Sequence, residues 1–384
     1  MTVRPSLANA DPIELEAEAG TAGAGNPGET IMRIMRAAHK LQASDVHLRV
    51  GTPPIVRLEG ELRPLNHPPL DDATVSGAAR ALAEGAGVPA EKMGAMQLDF
   101  SCVLPGAGRF RAHLYRQSGS HALVLRRIQD PIPDFAALRL PAVLKRIAMA
   151  ERGLVLVVGA TGNGKSTTIA AMLEFINTTA SKHIVTCEDP AEFIFQDKLS
   201  TFSQREVGRD VESFEQGLHG ALREDPDVLF IGEIRTTEAM ETAINAAESG
   251  RLVISTSHAQ DAARTIQRMI NLYPVDFRES ARGRLADVIV AVVAQRLVQR
   301  KQAKSRVLCT EVMTGSPTVK ECIRDPARFR GINAAIEAGL HEYGSHTFDQ
   351  MLVAMVRDNI IAPETATAAA TNPSDLMRNL KVTR

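Results

Sequence analysis

Tryptophan is absent from this chain, and aromatic residues make up only 4% of it. Platforms that stack nucleic-acid bases need aromatic faces, so the scarcity argues against a single-strand binder. An excess of one charge is missing too: 44 Lys and Arg stand against 45 Asp and Glu, a net charge of -1. Nucleic acid is therefore not an expected partner. No apolar run reaches the roughly 18 residues of a membrane span. The longest, 154–158 and 288–293, are strand-sized. The N-terminus has no basic-then-apolar pattern, so no secretory signal is expected. The chain is expected in the cytoplasm, with any membrane association peripheral. Cysteines number four, Cys102, Cys187, Cys309 and Cys322, and none forms a C-x-x-C pair. That spacing disfavours zinc and favours reduced, buried thiols.

What is present reads as an ordinary globular chain of 384 residues, 44% hydrophobic and 23% charged, enough for two domains. Residues 1–28 are rich in Ala, Gly, Glu and Pro and predict a disordered or loosely helical lead-in. From 30 to 42, Ile31, Ile34, Met35, Ala38 and Leu41 share one helical face. Short strand-like pieces follow at 46–50, 55–58, 98–103, 110–115 and 123–128, with a helical stretch at 71–86. This mixture predicts an α+β domain over 29–128. Two prolines stiffen a linker, 129–137. Beyond 138 the pattern changes. A helix at 141–149 precedes the wholly apolar strand 154–158, and further strands are predicted at 183–187, 228–231, 252–256 and 288–293 with helices between them. That alternation is the α/β pattern of a buried parallel sheet. From about 325 the chain reads as helical with a polar end.

Four motifs carry chemistry. Gly159-Ala160-Thr161-Gly162-Asn163-Gly164-Lys165-Ser166 matches G-x-x-x-x-G-K-[ST] between a strand and a helix. Glycines let backbone N–H groups face phosphate oxygens, and the helix start favours anions. Lys165 reaches the β- and γ-phosphates and Ser166 binds Mg²⁺. These eight residues and Thr167 are the candidate ATP-binding set. Second, the strand ending at Cys187 runs into Glu188 and Asp189, and Pro190 stops it. Carboxylates at such a strand end can hold Mg²⁺ or orient its waters. Third, 228–231 is an apolar strand followed by Gly232 and Glu233, a carboxylate placed to polarise an attacking water. Fourth, 252–256 ends near His258, which can sense a γ-phosphate by hydrogen bonding. Two other features read as bland. His341 and His346 are spaced one residue too far for a zincin helix. The basic run 296–306 reads as a solvated loop face, with an acidic lipid surface as the lesser alternative.

In this order the motifs resemble the ATPases of type II and type IV secretion machinery, and within them the type IV pilus retraction ATPases, the PilT and PilU group. The resemblance covers 30–380. It is carried also by Ala43-Ser44-Asp45-Val46-His47-Leu48, Glu188-Asp189-Pro190-Ala191-Glu192-Phe193, Gln204-Arg205-Glu206-Val207-Gly208, Thr347-Phe348-Asp349-Gln350 and Asn372-Pro373-Ser374-Asp375-Leu376. It implies an N-terminal PAS-like domain, then a RecA-like P-loop ATPase domain, 138–384, with a helical C-terminal end. It implies ATP hydrolysis, with Glu233 as general base and Glu188 acting with Mg²⁺. Arg111 and Arg126 match arginines that reach nucleotide phosphates. Members work as homo-hexameric rings on an inner-membrane platform protein, in some cases beside a paralogous ATPase, at the inner face of the cytoplasmic membrane. Assembly and export members carry a tetracysteine zinc module where 298–309 has none, which favours the retraction side. A motor of a related secretion or conjugation apparatus, or a weakly hydrolysing accessory ring subunit, are the alternatives.

Overall fold

The computed structural model describes residue 13 and residues 27–58, 60–128, 131–302 and 305–382. Most of the expected lead-in, and Gln129 and Asp130 of the expected linker, lie outside these. The chain separates into two compact units, Met1–Pro131 with Pro190–Phe193, and Ile132–Asp189 with Ile194–Arg384.

The first unit is an alternating-strand structure. Its strands are β1 (Asp45–Arg49), β2 (Ile55–Leu58), β3 (Glu61–Pro64), β4 (Gln97–Leu104), β5 (Gly108–Gln117) and β6 (Ser120–Ile128). They form one antiparallel sheet in the order β3-β2-β1-β6-β5-β4. Period-2 alternation decides its faces. Phe110, Ala112 and Leu114 of β5 are buried with Leu123 and Leu125 of β6 and Val46 and Leu48 of β1. Two helices cover that face. α1 (Pro27–Lys40) contributes Ile31, Ile34, Met35 and Ala38, and α2 (Asp72–Gly85) contributes Val75, Ala79 and Leu82. The Asp71 carboxylate starts α2 by accepting the Thr74 N–H at 2.8 Å. Each buried Leu, Val or Phe contributes about 1.5–3 kcal/mol, so this one face holds the unit together.

The second unit obeys another rule. Its strands are β7 (Gly153–Val158), β8 (His183–Glu188), β9 (Thr201–Glu206), β10 (Val228–Ile231), β11 (Leu252–Ser257), β12 (Ile289–Gln299) and β13 (Arg306–Thr314). They run β13-β12-β7-β11-β10-β8-β9, all parallel except β13. Every residue of β7, β10 and β11 is buried, because helices cover both faces. Those helices are α3 (Val143–Ala148), α4 (Lys165–Thr179), α5 (Phe214–Ala221), α6 (Thr237–Glu248), α7 (Ala262–Asn271) and α8 (Arg278–Val288). Six more follow: α9 (Pro317–Arg324), α10 (Ile332–Ala338), α11 (Leu340–Tyr343), α12 (Phe348–Arg357), α13 (Pro363–Ala369) and α14 (Pro373–Val382).

The sequence reading differs from the structure here. The expected strand 288–293 extends to Gln299 and turns back into β13, which was not expected. The basic run 296–306 is therefore strand at both ends rather than a solvated loop. The Arg296 guanidinium stacks 3.8 Å from the Phe348 ring centre and donates to the Ala369 carbonyl at 2.6 Å. A long arginine stem lies readily on apolar surface, so a basic residue does not exclude a strand. The strand β9, a polar sequence, was also unexpected.

Candidate functional site

The phosphate-type loop follows β7 directly. Gly164 adopts φ +81° and opens α4 without a side-chain cap. By contrast α5, α6, α7, α9 and α12 are opened by the side chains of Ser213, Thr236, Asp261, Ser316 and Thr347. The first N–H groups of α4 and its positive dipole end thus face the loop, which suits an anion. Lys165 is buried, and its Nζ donates to the carbonyls of Gly159 at 2.8 Å and Ala160 at 3.3 Å. The loop wraps its own lysine. Ser166 and Thr167 are half-buried on the same turn, while Ala160, Thr161 and Gly162 are exposed. Gly159 cannot be replaced: a Cβ there would lie 2.6 Å from the Gln295 carbonyl oxygen. Asn163 Nδ2 donates to that same carbonyl at 3.1 Å, and Gln295 Nε2 donates to Thr168 Oγ1 at 2.7 Å.

The order β7-β11-β10-β8 brings three further strand ends beside the loop. Ser257 is level with Val158, Ile231 with Ser255, and Cys187 with Ile231. Glu188 is buried, and its Oε1 accepts the Thr186 hydroxyl at 2.8 Å. Asp189 beside it is exposed. At the end of β10, Gly232 N–H bonds Cys187 O at 2.9 Å, and the next residue is Glu233. Glu233 Oε2 accepts from Arg235 Nη2 at 2.7 Å and lies 3.4 Å from His258 Nε2. The bond to Glu233 raises the Arg235 pKa, and the Asp189 charge acts in the same direction. The Ser255 and Thr256 hydroxyls donate to the carbonyls of Ile231 at 2.7 Å and Gly232 at 2.6 Å, tying the exits of β10 and β11 together. Lys165, Ser166, Glu188, Asp189, Glu233 and His258 consequently occupy one edge of one sheet. Their oxygen donors, Ser166, Glu188 and Asp189, suit a hard cation such as Mg²⁺. Among the described residues no group of three or more His, Cys, Asp and Glu could hold a metal alone. Elsewhere, His346 is buried against the Thr310 hydroxyl at 2.9 Å, and burial lowers its pKa. The thiols of Cys102, Cys187 and Cys309 are pushed by burial up to about 12.

Arg111 and Arg126 lie in the first unit, on the sheet face away from its core. Register sets Arg111 of β5 directly opposite Arg126 of β6, Arg126 opposite Asp45 of β1, and Asp45 opposite Arg57 of β2. Two of these arginines, Arg126 and Arg57, therefore share one nearly buried carboxylate. Asp45 accepts from Arg126 Nε at 2.9 Å and lies 3.6 Å from Arg57 Nε. Burial holds the nearby His47 imidazole below its ordinary pKa, and Arg57, Arg49 and Arg126 push the same way against Asp45. Like charges directly opposite on paired strands destabilise a sheet, so the Arg111–Arg126 pair is a standing cost that an anion would relieve. Sequence reasoning missed Asp45 and Arg57 as partners, because their roles depend on register. It missed Gln295 although a signal existed: an amide closing the apolar run 289–294 of β12.

A profile of the type II/IV secretion system protein family matches residues 109–359. The type IV pilus retraction ATPase PilT of Pseudomonas aeruginosa is 36% identical over 346 residues, 90% of this chain and 99% of that protein. A twitching motility protein of Neisseria gonorrhoeae is 36% identical over 323 residues, 84% of this chain and 86% of its own length. The crystal structure of the pilus retraction motor PilT with bound ADP superposes with a TM-score of 0.82 at 37% identity, covering 91% of this chain and 99% of that one.

Proposed function

The chain belongs to the type II/IV secretion system protein family, and from that premise we propose that it is an ATP-hydrolysing motor of the type IV pilus retraction kind. One observation carries the reading. Four neighbouring parallel strands deliver Lys165, Glu188, Glu233 and His258 to a single edge, beside a helix start left open for phosphate.

On binding, the ATP phosphates take over the Lys165 ammonium from the Gly159 and Ala160 carbonyls, and the N–H groups of 159–167 close on them. Glu233 accepts a proton from the attacking water while the water oxygen bonds to the γ-phosphorus. The bond from that phosphorus to the β–γ bridging oxygen breaks, leaving ADP and phosphate. Arg235 and His258 hold the Glu233 carboxylate, and His258 is placed to register loss of the γ-phosphate. Mg²⁺, held by Ser166 with Glu188 and Asp189, would neutralise phosphate charge. Arg111 and Arg126 are the first unit's proposed contribution to phosphate binding.

The finer assignments rest on the same reading. The antiparallel sheet under α1 and α2 supports the PAS-like label for 29–128, and the strand order supports the RecA-like label for 138–384 after a 129–137 linker. The working form is a homo-hexamer, in the cytoplasm at the inner face of the membrane. It would act on a platform protein there, with a paralogous ATPase as a further partner. Among the described residues no helix is long and apolar enough to cross a membrane. Steady-state phosphate release tests the core claim. Wild type should turn over, Glu233→Gln should bind ATP without hydrolysing it, and Lys165→Ala should lose binding. A wild type as slow as Glu233→Gln would replace the motor with a nucleotide-binding ring component.

A further inference from the structure

We propose that Gln295 is a positioning residue that clamps the phosphate loop from behind, an inference that rests on the ATPase reading above. β12 pairs with β7 as far as Ala294 opposite Val158, so Gln295 stands level with Gly159, where the loop begins. Its backbone carbonyl receives Asn163 Nδ2 at 3.1 Å, in the middle of the loop. The same oxygen leaves no space for a side chain at Gly159. Its side-chain amide donates to Thr168 at 2.7 Å, one residue beyond Thr167 on α4. One residue therefore grips the loop at its entry, its centre and the helix that follows.

The chemistry of the side chain separates this role from mere packing. Gln295 is fully buried, and its Oε1 has no hydrogen-bond partner among the described residues. A buried, unpaired amide oxygen costs stability, and an apolar side chain of the same volume would remove that cost. An amide is instead retained at the end of the run Val292-Val293-Ala294, at a fully buried position. A group that weakens the core while aligning a ligand loop is expected where geometry matters more than stability. The loop's N–H groups can bind phosphate only if their directions are already set, and the Gln295–Thr168 bond sets the first turn of α4 against β12.

The experiment is a cycle of Gln295→Met, Thr168→Val and the double variant, read by binding of N-methylanthraniloyl-ADP, by phosphate release and by thermal unfolding. Each single variant should weaken ADP binding about tenfold, with kcat at saturating ATP near that of wild type. The double variant should bind no more weakly than either single one. Because it removes both polar partners, its unfolding midpoint should return to that of wild type or rise above it. Stability is then restored while affinity is not, which a purely structural role cannot produce. Unchanged ADP affinity in Gln295→Met, losses that multiply in the double variant, or affinity that recovers together with the midpoint would each overturn the proposal. If wild type itself binds no nucleotide, the ATPase reading falls and this inference with it. If wild type binds and Gln295→Met binds equally well, only the inference falls.

Discussion

The two sheets of this chain place their functional side chains by opposite rules. In the second unit the central strands β7, β10 and β11 are buried throughout and covered on both faces, so a charged group has room there only where a strand ends. Glu188 closes β8, and Lys165, Glu233 and His258 come after the last residues of β7, β10 and β11. In the first unit only one sheet face is needed for the core. The other lies outside that core, and Arg111, Arg126, Asp45 and Arg57 sit on it within the strands, aligned across them. A covered parallel sheet thus concentrates chemistry at an edge, while a half-covered antiparallel sheet can array it on a face. The first arrangement fixes groups through buried backbone. The second fixes them through one another.

The largest effect should come from the edge. Glu233→Gln removes the base but keeps the shape, and turnover should fall on the order of 10²–10⁴-fold with ATP still bound. Phosphate release together with nucleotide binding checks this. Near-normal turnover would mean that the strand ends are not where the chemistry lies, and the contrast between the sheets would lose its functional meaning.

A carboxylate in the body of the second sheet, away from the phosphate loop, should instead alter stability alone. Glu311 lies within β13 and accepts the Ala262 N–H at 2.8 Å. Burial raises its pKa from an ordinary 4.5 to about 7, although that N–H, the Phe348 N–H and Arg296 favour the ionised form. The folded state therefore holds this proton more tightly than the unfolded chain does. Between pH 4.5 and 7 the folded form binds more protons, so stability is greatest below that window and falls as pH rises through it. The change is about 3 kcal/mol at most. Unfolding midpoints measured from pH 5 to 8 should decline in wild type and stay nearly flat in Glu311→Gln, with turnover unaffected. A flat wild-type profile would contradict this.

The face of the first sheet should yield a smaller loss. Arg126→Ala or Arg111→Ala should lower kcat/KM about tenfold, the scale of one charge-assisted bond to phosphate. Arg111→Ala also relieves like-charge crowding, so its stability should hold or rise, whereas Arg126→Ala leaves the nearly buried Asp45 without its closest partner and should lower it. Unchanged kinetics would assign the pair to another anion or to none.

How much of this could be read from residues alone follows from the same contrast. Strands β7, β8, β10 and β11 announce themselves as apolar runs, and the residues after them are contiguous motifs. Edge chemistry is legible because sequence neighbours are also neighbours in space. The strands β9 and β13 were not visible. Thr201-Phe202-Ser203-Gln204-Arg205-Glu206 is polar at a sheet edge, and Arg306 opens a strand that follows a basic turn. The arginine row is harder still. Arg111 meets Arg126 only because the β5–β6 turn pairs Gln117 with Ser120, and a slip of one residue would send both toward the core. Gln295 stood in plain view as an amide among valines, yet its target, Thr168, comes from a distant part of the chain.

The smallest expected effect sharpens the comparison most. Two arginine–carboxylate pairs, one from each proposed site, are of similar length: Arg235–Glu233 at 2.7 Å and Arg126–Asp45 at 2.9 Å. Both arginines are largely exposed, 72% and 67%. They differ in what else holds the carboxylate. The Glu233 backbone is fixed by the buried exit of β10, where Gly232 is bonded to Cys187 and Thr256, and His258 stands beside its oxygen. Arg235 is therefore a dispensable arm, and an exposed pair of this kind contributes at most about 1 kcal/mol. Arg235→Ala should change kcat by no more than about fivefold. In the first unit the arginine is the group proposed to bind phosphate, and Asp45 is its support. Asp45→Asn leaves Arg126 and Arg57 facing each other without their shared charge, and its kinetic cost should exceed that of Arg235→Ala. Measuring the two variants side by side in kcat/KM decides the matter. The reverse order would mean that the edge, too, depends on its side chains for alignment, and the two sheets would then differ only in where the residues lie.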